Sequence, residues 1–541
     1  MNMLQSTTAA RILLFTGSLL LPLGLPGHRL IADESRQPPN IVIILADDLG
    51  FSDLGCYGGE INTPHLDRLA QQGLRYNQFY NTGRCWPTRA SIMSGYYPHQ
   101  VNRDRLPGIK QGGNRGKRPA WAPLLPRRLP DYRAYHSGKW HIDGGPIANG
   151  FHRSFWMRDH GRFFNPRTTK LDDVDQPPVP AGADYYVTTA IADHAVECLK
   201  DHARDYGDQP FVSFVTFTAP HFPLHALPED IAKYEGRYDE GWEVVRDQRW
   251  QRQKKLGLLD ASLSATERDL GPPYDFPEQI EILGPGEVNR PRPWSELSKT
   301  QQAFQAKKME IHAAMVDRMD QEIGKILQQI KSMGAWDNTL ILFLSDNGAS
   351  AEIMVRSDGH DPQAAPGSAA THLCLGPGWS TVCNTPFRKH KTWVHEGGIA
   401  TPLIAHWPAG IQDTNQIRSS AGHVVDLVPT ILELSGGTTG RARDSSTPKL
   451  PGKSLVPTFD GDQSILREDI FWYHEGHSGL RRGDFKLVRS KGSPWELYNL
   501  SLDRTETQNL AADQPERLKE MIDRWDERAK QFSEERTRQL P

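Results

Sequence analysis

The chain has 541 residues, with Lys+Arg 63 against Asp+Glu 66, a formal net charge of -3, 37% hydrophobic and 24% charged residues. That length buries a large core, and the composition is that of a globular protein, not a disordered or fibrous one. The near-neutral balance with no basic run excludes a nucleic-acid binder, and five cysteines are too few for a disulfide scaffold.

In chain order, the first feature is the apolar stretch Ile12 to Leu25, preceded by Arg11 and followed by polar residues from His28 to Asn40. It is too short and too interrupted by Gly and Pro to span a bilayer. It reads as a signal peptide over residues 1–32, so the mature protein is expected to be exported, periplasmic or extracellular, without a membrane span.

Asn40 to Asp48 (NIVIILADD), Phe211 to Phe217 (FVSFVTF) and Thr339 to Gly348 (TLILFLSDNG) are short, unbroken apolar runs. Parallel strands buried on both faces look like this. Between them, His65 to Gln72, Tyr185 to His202 and Gln301 to Met333 carry apolar residues at helical spacing. The alternation predicts a large doubly wound α/β domain over residues 38–452, with Val424 to Ser435 as a late helix. Gly236 to Arg292 is polar and weakly periodic and reads as an insertion. A Gly/Pro/Ser-rich stretch, Gly436 to Gly452, marks a boundary. Beyond it, Asp469 to Tyr473, Gly479 to Arg481, Phe485 to Arg489 and Trp495 to Leu500 read as short strands, and Pro515 to Phe532 as an amphipathic helix. Residues 453–541 are thus expected to form a small antiparallel sheet with one packed helix.

In a doubly wound sheet, ligands bind at the carboxyl ends of the strands. Asp47, Asp48, Asp346 and Asn347 all fall there. Any one of them alone would read as a cap or turn residue. Three carboxylates converging from two strand ends repel unless a cation lies between them, and all-oxygen shells suit Ca²⁺ or Mg²⁺. The run Cys85-Trp86-Pro87-Thr88-Arg89, ending at Gly95, places a thiol at a helix start with an arginine one turn on. A helix N-terminus beside a guanidinium is an anion site and is expected to depress a thiol pKa. Of the other cysteines, Cys56 and Cys198 read as buried thiols, and Cys374 and Cys383 are close enough in sequence to bridge.

The C-x-P-x-R run resembles the signature of the formylglycine-dependent sulfatases, the arylsulfatase-A-like enzymes of the alkaline-phosphatase superfamily. Other landmarks of that family recur in order. Asp47-Asp48 and Asp346-Asn347 resemble its metal-ligand pairs, Gly138-Lys139-Trp140-His141 its GKWH block, and Pro220-His221 its Pro-His element. Lys391 precedes Glu396-Gly397-Gly398 as in the family's EGG turn, and Trp495 to Leu500 followed by Asn509-Leu510 resembles its C-terminal block. The resemblance covers nearly everything from Asn40 onward.

The resemblance implies the alkaline-phosphatase type of fold, and hydrolysis of an aryl sulfate or a sulfated carbohydrate. It implies Ca²⁺, with Mg²⁺ second, bound by Asp47, Asp48, Asp346, Asn347 and residue 85. It also implies conversion of Cys85 to formylglycine by a generating enzyme during maturation. The hydrated aldehyde would attack sulfur, while Arg89, Lys139 and Lys391 neutralise the sulfate oxygens. His221 or Lys391 would protonate the leaving alcohol. His141 would take the proton that lets the intermediate collapse, and Asp346 would help deprotonate the attacking hydroxyl. A phosphonate or phosphate ester hydrolase of the same superfamily is the nearest alternative, and a non-catalytic sulfated-glycan-binding protein a more distant one. Glu352, Arg388, Lys389, His390 and His395 are near the site by sequence only and are expected to be ordinary structural residues. Trp379 and Trp393 read either as core or as ring-stacking platforms.

Overall fold

The computed structural model describes residues 37–104, 116–274, 276–356, 358–436 and 447–538. The expected signal peptide and residues 437–446 of the expected boundary lie outside them.

Eleven strands form the main sheet: β1 (Asn40–Ala46), β2 (Leu74–Tyr80), β3 (Arg133–Gly138), β4 (Arg153–Met157), β5 (Thr169–Leu171), β6 (Val174–Asp175), β7 (Phe211–Thr216), β8 (Thr339–Ser345), β9 (Ala400–His406), β10 (Gln416–Arg418) and β11 (Gly422–His423). Their order is β10-β2-β9-β8-β1-β7-β3-β4-β5-β6, with β11 also on β2. The centre is parallel: β1 pairs with β7 (Ile41 opposite Val212) and with β8 (Ile41 opposite Leu340), and β7 pairs with β3. Strand β9 runs antiparallel between β8 and β2, so the sheet is mixed.

The pleat explains the unbroken apolar runs. In β1, Val42, Ile44 and Ala46 enter one core while Ile41, Ile43 and Leu45 enter the other, and β8 divides its residues in the same way. Helices cover both faces. Val187–Asp205 and the 34-residue Lys299–Ser332 pack on the first, and Cys85–Ser94 and Leu427–Leu434 on the second. The long helix opens on a capping box in which Ser298 and Gln301 satisfy each other's backbone N–H groups.

Four further strands, β12 (Ile470–His474), β13 (His477–Arg482), β14 (Phe485–Arg489) and β15 (Glu496–Asn499), form an antiparallel sheet. The helix Pro515–Glu535 packs on it through Met521, Trp525 and Phe532.

The segment expected as a weakly periodic insertion contains a 14-residue helix, Trp242–Lys255, built into the core. Its polar side chains hid the pattern: Arg249 is fully buried and lies 2.6 Å from Asp53 and 2.7 Å from Glu60. Cys374 and Cys383 are not bridged. All five cysteines are free thiols, and Cys56 and Cys198 are buried as expected.

Candidate active site

The strand register brings the acidic tips together. Ala46 sits opposite Ser345, so Asp47 and Asp346 leave adjacent strands side by side, and the N–H of Asp346 donates to the carbonyl of Ala46 at 3.2 Å. On the other side of β7, Gly138 ends β3 opposite Thr216. Its φ is +115°, and a Cβ there would lie 1.9 Å from the Thr216 carbonyl oxygen. Only glycine lets Lys139 leave the sheet at this point, its N–H donating to that carbonyl at 2.8 Å.

Cys85 is the first residue of its helix and Arg89 lies one turn on. Arg89 Nε donates to Asp346 Oδ2 at 2.8 Å and Nη1 to the Lys139 carbonyl at 2.6 Å. Lys139 Nζ lies 2.5 Å from Asp47 Oδ2. Lys391 Nζ lies 2.8 Å from Asp48 Oδ1 and 2.9 Å from Glu352 Oε2, and the other Glu352 oxygen lies 3.0 Å from Arg84 Nη2. Asn347 Nδ2 donates to Asp48 Oδ1 at 2.7 Å. His221 Nδ1 donates to the Phe222 carbonyl at 2.5 Å, which turns Nε2 toward Asp48 Oδ2 at 3.8 Å. His141, in the left-handed region at φ +53°, has its ring centre 5.9 Å from Trp86 and 5.2 Å from His160. The structure thus gathers Asp47, Asp48, Cys85, Arg89, Lys139, His141, His221, Asp346, Asn347 and Lys391 at one point.

The loop carrying Lys391 is fixed by the turn after it. The Gly397 N–H donates to the Arg388 carbonyl at 2.9 Å, and a Cβ on Gly397 would sit 2.3 Å from the Lys389 carbonyl oxygen. Glu396, fully buried, turns away from the cluster toward the small sheet, pairing with Lys486 at 2.7 Å and with Arg504.

Burial and charge set the titration of these groups. Burial, then the neighbouring Asp47, pushes the Asp346 carboxyl up to about 7. Burial also raises Asp48 against the pull of Lys391. In Asp47 burial is outweighed by Lys139, Arg89 and Lys391, which hold its carboxyl below the usual range. His141 and His221 are held far below 6.5, by burial first and by neighbouring lysines next, and are neutral. Cys85 overturns one expectation from sequence: its thiol pKa is raised, because burial to 3% exposure outweighs Lys139 and Lys391. The guanidinium expected to activate the thiol is committed to Asp346. A neutral thiol is a poor nucleophile.

The oxygens suit a hard divalent ion. Asp47 Oδ1 and Asn347 Oδ1 are buried without a hydrogen-bond partner, a costly state that a cation relieves. Ligating atoms of Asp47, Asp48 and His221 lie within 4.8 Å of one another.

Glu352, near the site by sequence and expected to be structural, bridges Lys391 and Arg84. Three further residues of this neighbourhood, Arg84, His160 and His474, escaped the sequence reading. Arg84 carried a signal, its adjacency to Cys85. His160 and His474 carried none: the first lies beside His141, and the second reaches Trp86 from the small sheet at 5.5 Å. Arg388 and Lys389 pair with Glu267, each at 2.8 Å. His390 meets Ser380 and His395 meets Glu496. These contacts account for all four side chains. Trp379 is core, against Tyr238, Trp242 and Trp294.

A family model described as Sulfatase matches residues 39–437, and one described as N-sulphoglucosamine sulphohydrolase, C-terminal matches residues 388–535. An uncharacterized sulfatase of Schizosaccharomyces pombe is 31% identical, with 91% of this chain and 93% of that one covered. An arylsulfatase of Klebsiella aerogenes is 30% identical over 74% of this chain and 87% of its own. Among solved structures, Ps i-CgsB has the same fold at a TM-score of 0.64 and 22% identity, covering 91% of this chain and 93% of that one.

Proposed function

Because this chain belongs to the sulfatase family, we propose that its strand-end cluster works through a formylglycine made from Cys85 and a Ca²⁺ ion held by Asp47, Asp48, Asp346, Asn347 and residue 85. The chain is a sulfuric ester hydrolase, and the proposal concerns how it performs that hydrolysis.

The observation that carries the reading is the charge balance of the pocket. Asp47, Asp48, Asp346 and Glu352 face Arg84, Arg89, Lys139 and Lys391, pair by pair. With every cation already engaged, an anionic ester gains little attraction until a divalent ion adds positive charge. Formylglycine supplies a hydrated aldehyde, one hydroxyl to attack sulfur and a second to release it, and Ca²⁺ supplies charge that favours the ionised hydroxyl.

The chain's own residues do the rest. Arg89, Lys139 and Lys391, each held by a carboxylate, are preorganised to meet the sulfate oxygens as their charge grows. The Phe222 carbonyl holds the Nδ1–H of the neutral His221 ring, so Nε2 faces the leaving oxygen as an acceptor without a proton, and the proton for the leaving alcohol comes from the Lys391 ammonium, clamped between Asp48 and Glu352. With formylglycine in place, Asp346 would take the proton of the attacking hydroxyl and neutral His141 the proton of the second hydroxyl at position 85.

We also place the catalytic domain at residues 38–452 and the small subdomain at 453–541. The apolar N-terminal stretch supports export, and no helix among the described residues is long and apolar enough to cross a membrane. The substrate is an aryl sulfate or a sulfated carbohydrate, and maturation requires an enzyme that reads Cys85-x-Pro-x-Arg. Two measurements test the proposal: turnover of matched aryl sulfate, phosphate and phosphonate esters, and the mass of the peptide containing residue 85. Dominant phosphoryl turnover, or an intact thiol in active protein, would overturn it.

A further inference from the structure

A cavity of about 190 Å³ opens beside the cluster, and His160 and His221 form its inner wall. Those rings lie 5.9 Å apart, and His221 is the residue that faces Asp48. The cavity therefore begins where the ester's leaving group would lie. Its volume, on the order of six water molecules, suits one compact polar moiety.

The lining carries two guanidinium groups that lie against aromatic rings, Arg158 over Trp156 at 5.9 Å and Arg356 over Phe222 at 5.3 Å. Asp358 is engaged by Arg162 and by Arg167, the latter at 3.3 Å. Asp159 accepts from the backbone N–H groups of Arg167 and Thr168. Arg158 and Arg356 are exposed, and among the described residues no carboxylate lies within ion-pair distance of either guanidinium. The wall histidines add no charge, since burial holds His372 at about 3 and His225 at about 4. Arg162 also lines the cavity but is paired with Asp159 and Asp358, so among the described residues the positive charge here outside ion pairs comes from Arg158 and Arg356.

Phe222 links this charge to the catalytic cluster. Its ring stacks on His221 at 4.2 Å, with Lys391 Nζ 5.5 Å from its centre and Arg356 Cζ 5.3 Å from it. One cation already bound to carboxylates and one with no carboxylate in ion-pair distance among the described residues flank a single apolar ring.

From this geometry we propose that the cavity is a second anion subsite, in which Arg356, assisted by Arg158, binds a carboxylate or a further sulfate on the same substrate whose sulfate ester is cleaved. This deepens the sulfatase reading and rests on it. Arg356 and Arg158 are specificity-determining residues and touch no reacting atom. An arginine fork matches either oxo-anion in two-point geometry.

The test uses the matured full-length protein and three ring-matched esters: a singly sulfated hexose, a doubly sulfated hexose and a singly sulfated hexuronate. At least one of the two doubly charged compounds is expected to show a kcat/KM about tenfold above the singly charged one, through KM. Preference for the doubly sulfated hexose identifies sulfate, and preference for the hexuronate identifies carboxylate. Arg356→Gln should remove most of the advantage, Arg356→Lys should keep part of it, and Arg356→Gln with Arg158→Gln should abolish it. Equal kcat/KM on all three esters, or an advantage that survives the double substitution, overturns the subsite. If no sulfate ester is turned over, the failure lies with the sulfatase reading. Calorimetric affinities of the same three compounds for Cys85→Ser, with and without Arg356→Gln, then decide the subsite by the same criterion.

Discussion

Lys391 Nζ and Glu352 Oε2 lie 2.9 Å apart, both residues buried to 1% exposure. The opposite oxygen of Glu352 holds Arg84, the residue directly before Cys85. One carboxylate thus ties the Lys391 loop to the start of the helix that carries position 85. Glu352→Gln keeps the shape and removes the charge, leaving two buried cations short of a partner. Breaking a buried pair in this way costs about 3 kcal/mol. We expect that loss in denaturant unfolding, together with a fall in kcat of about 100-fold as Lys391 and Arg84 shift.

Glycine at 138 is a packing requirement. Gly138→Ala puts a methyl against the Thr216 carbonyl at a left-handed φ and displaces Lys139 from Asp47. A stability loss of roughly 2 kcal/mol or more is expected, with sulfate ester turnover nearly abolished. A variant with wild-type melting and turnover would show that the β3 end can shift without consequence.

Removal of divalent cations should lower both activity and melting temperature. The buried, unpartnered oxygens of Asp47 and Asn347 are the reason. An ion that binds only the folded chain stabilises it by about 2.7 kcal/mol at one hundred times its Kd. Chelation followed by re-addition, monitored by thermal unfolding, should restore the melt with Ca²⁺ at lower concentration than with Mg²⁺. A melt indifferent to chelator and to added ions would argue against the metal.

Glu267 gives a pH prediction away from the cluster. Burial would raise its carboxyl, but Lys389 and Arg388 outweigh that and hold it at about 2 against 4.5 in a free chain. A depressed acid stabilises the fold at pH values above its unfolded pKa, and the contribution is lost as pH falls through the folded one. Glu267→Gln should therefore be less stable than wild type by about 2–3 kcal/mol above pH 5. That gap should close as pH falls toward 2. The variant should also weaken turnover a few-fold, because Arg388 and Lys389 anchor the loop that ends at Lys391.

The central strands were legible because residues buried on both faces leave unbroken apolar runs, as in Ile41 to Ala46 and Leu340 to Leu344. Strand β2 was not, since Arg75 and Asn77 interrupt it and are buried by hydrogen bonds to the Cys56 and Leu258 carbonyls. Strand β9 carries Pro402, which reads against a strand. The main site was legible because its residues stand in short motifs next to strand ends and glycines. Glu352, His160 and His474 were not, because they reach the cluster through loops and through a second sheet whose approach no local pattern encodes.

The small sheet has a consequence for the order of events in the life of the chain. His474 sits against Trp86, and Lys486 and Arg504 lock Glu396 at the turn behind Lys391. Strands that follow the site motifs in the chain thus pack against the helix that carries position 85, and in the folded chain Cys85 is only 3% exposed. A side chain this enclosed is out of reach of a second protein once folding is complete, so on the maturation proposed above the modifying enzyme would meet residue 85 on a still-open chain, and faster folding would lower the yield of converted protein.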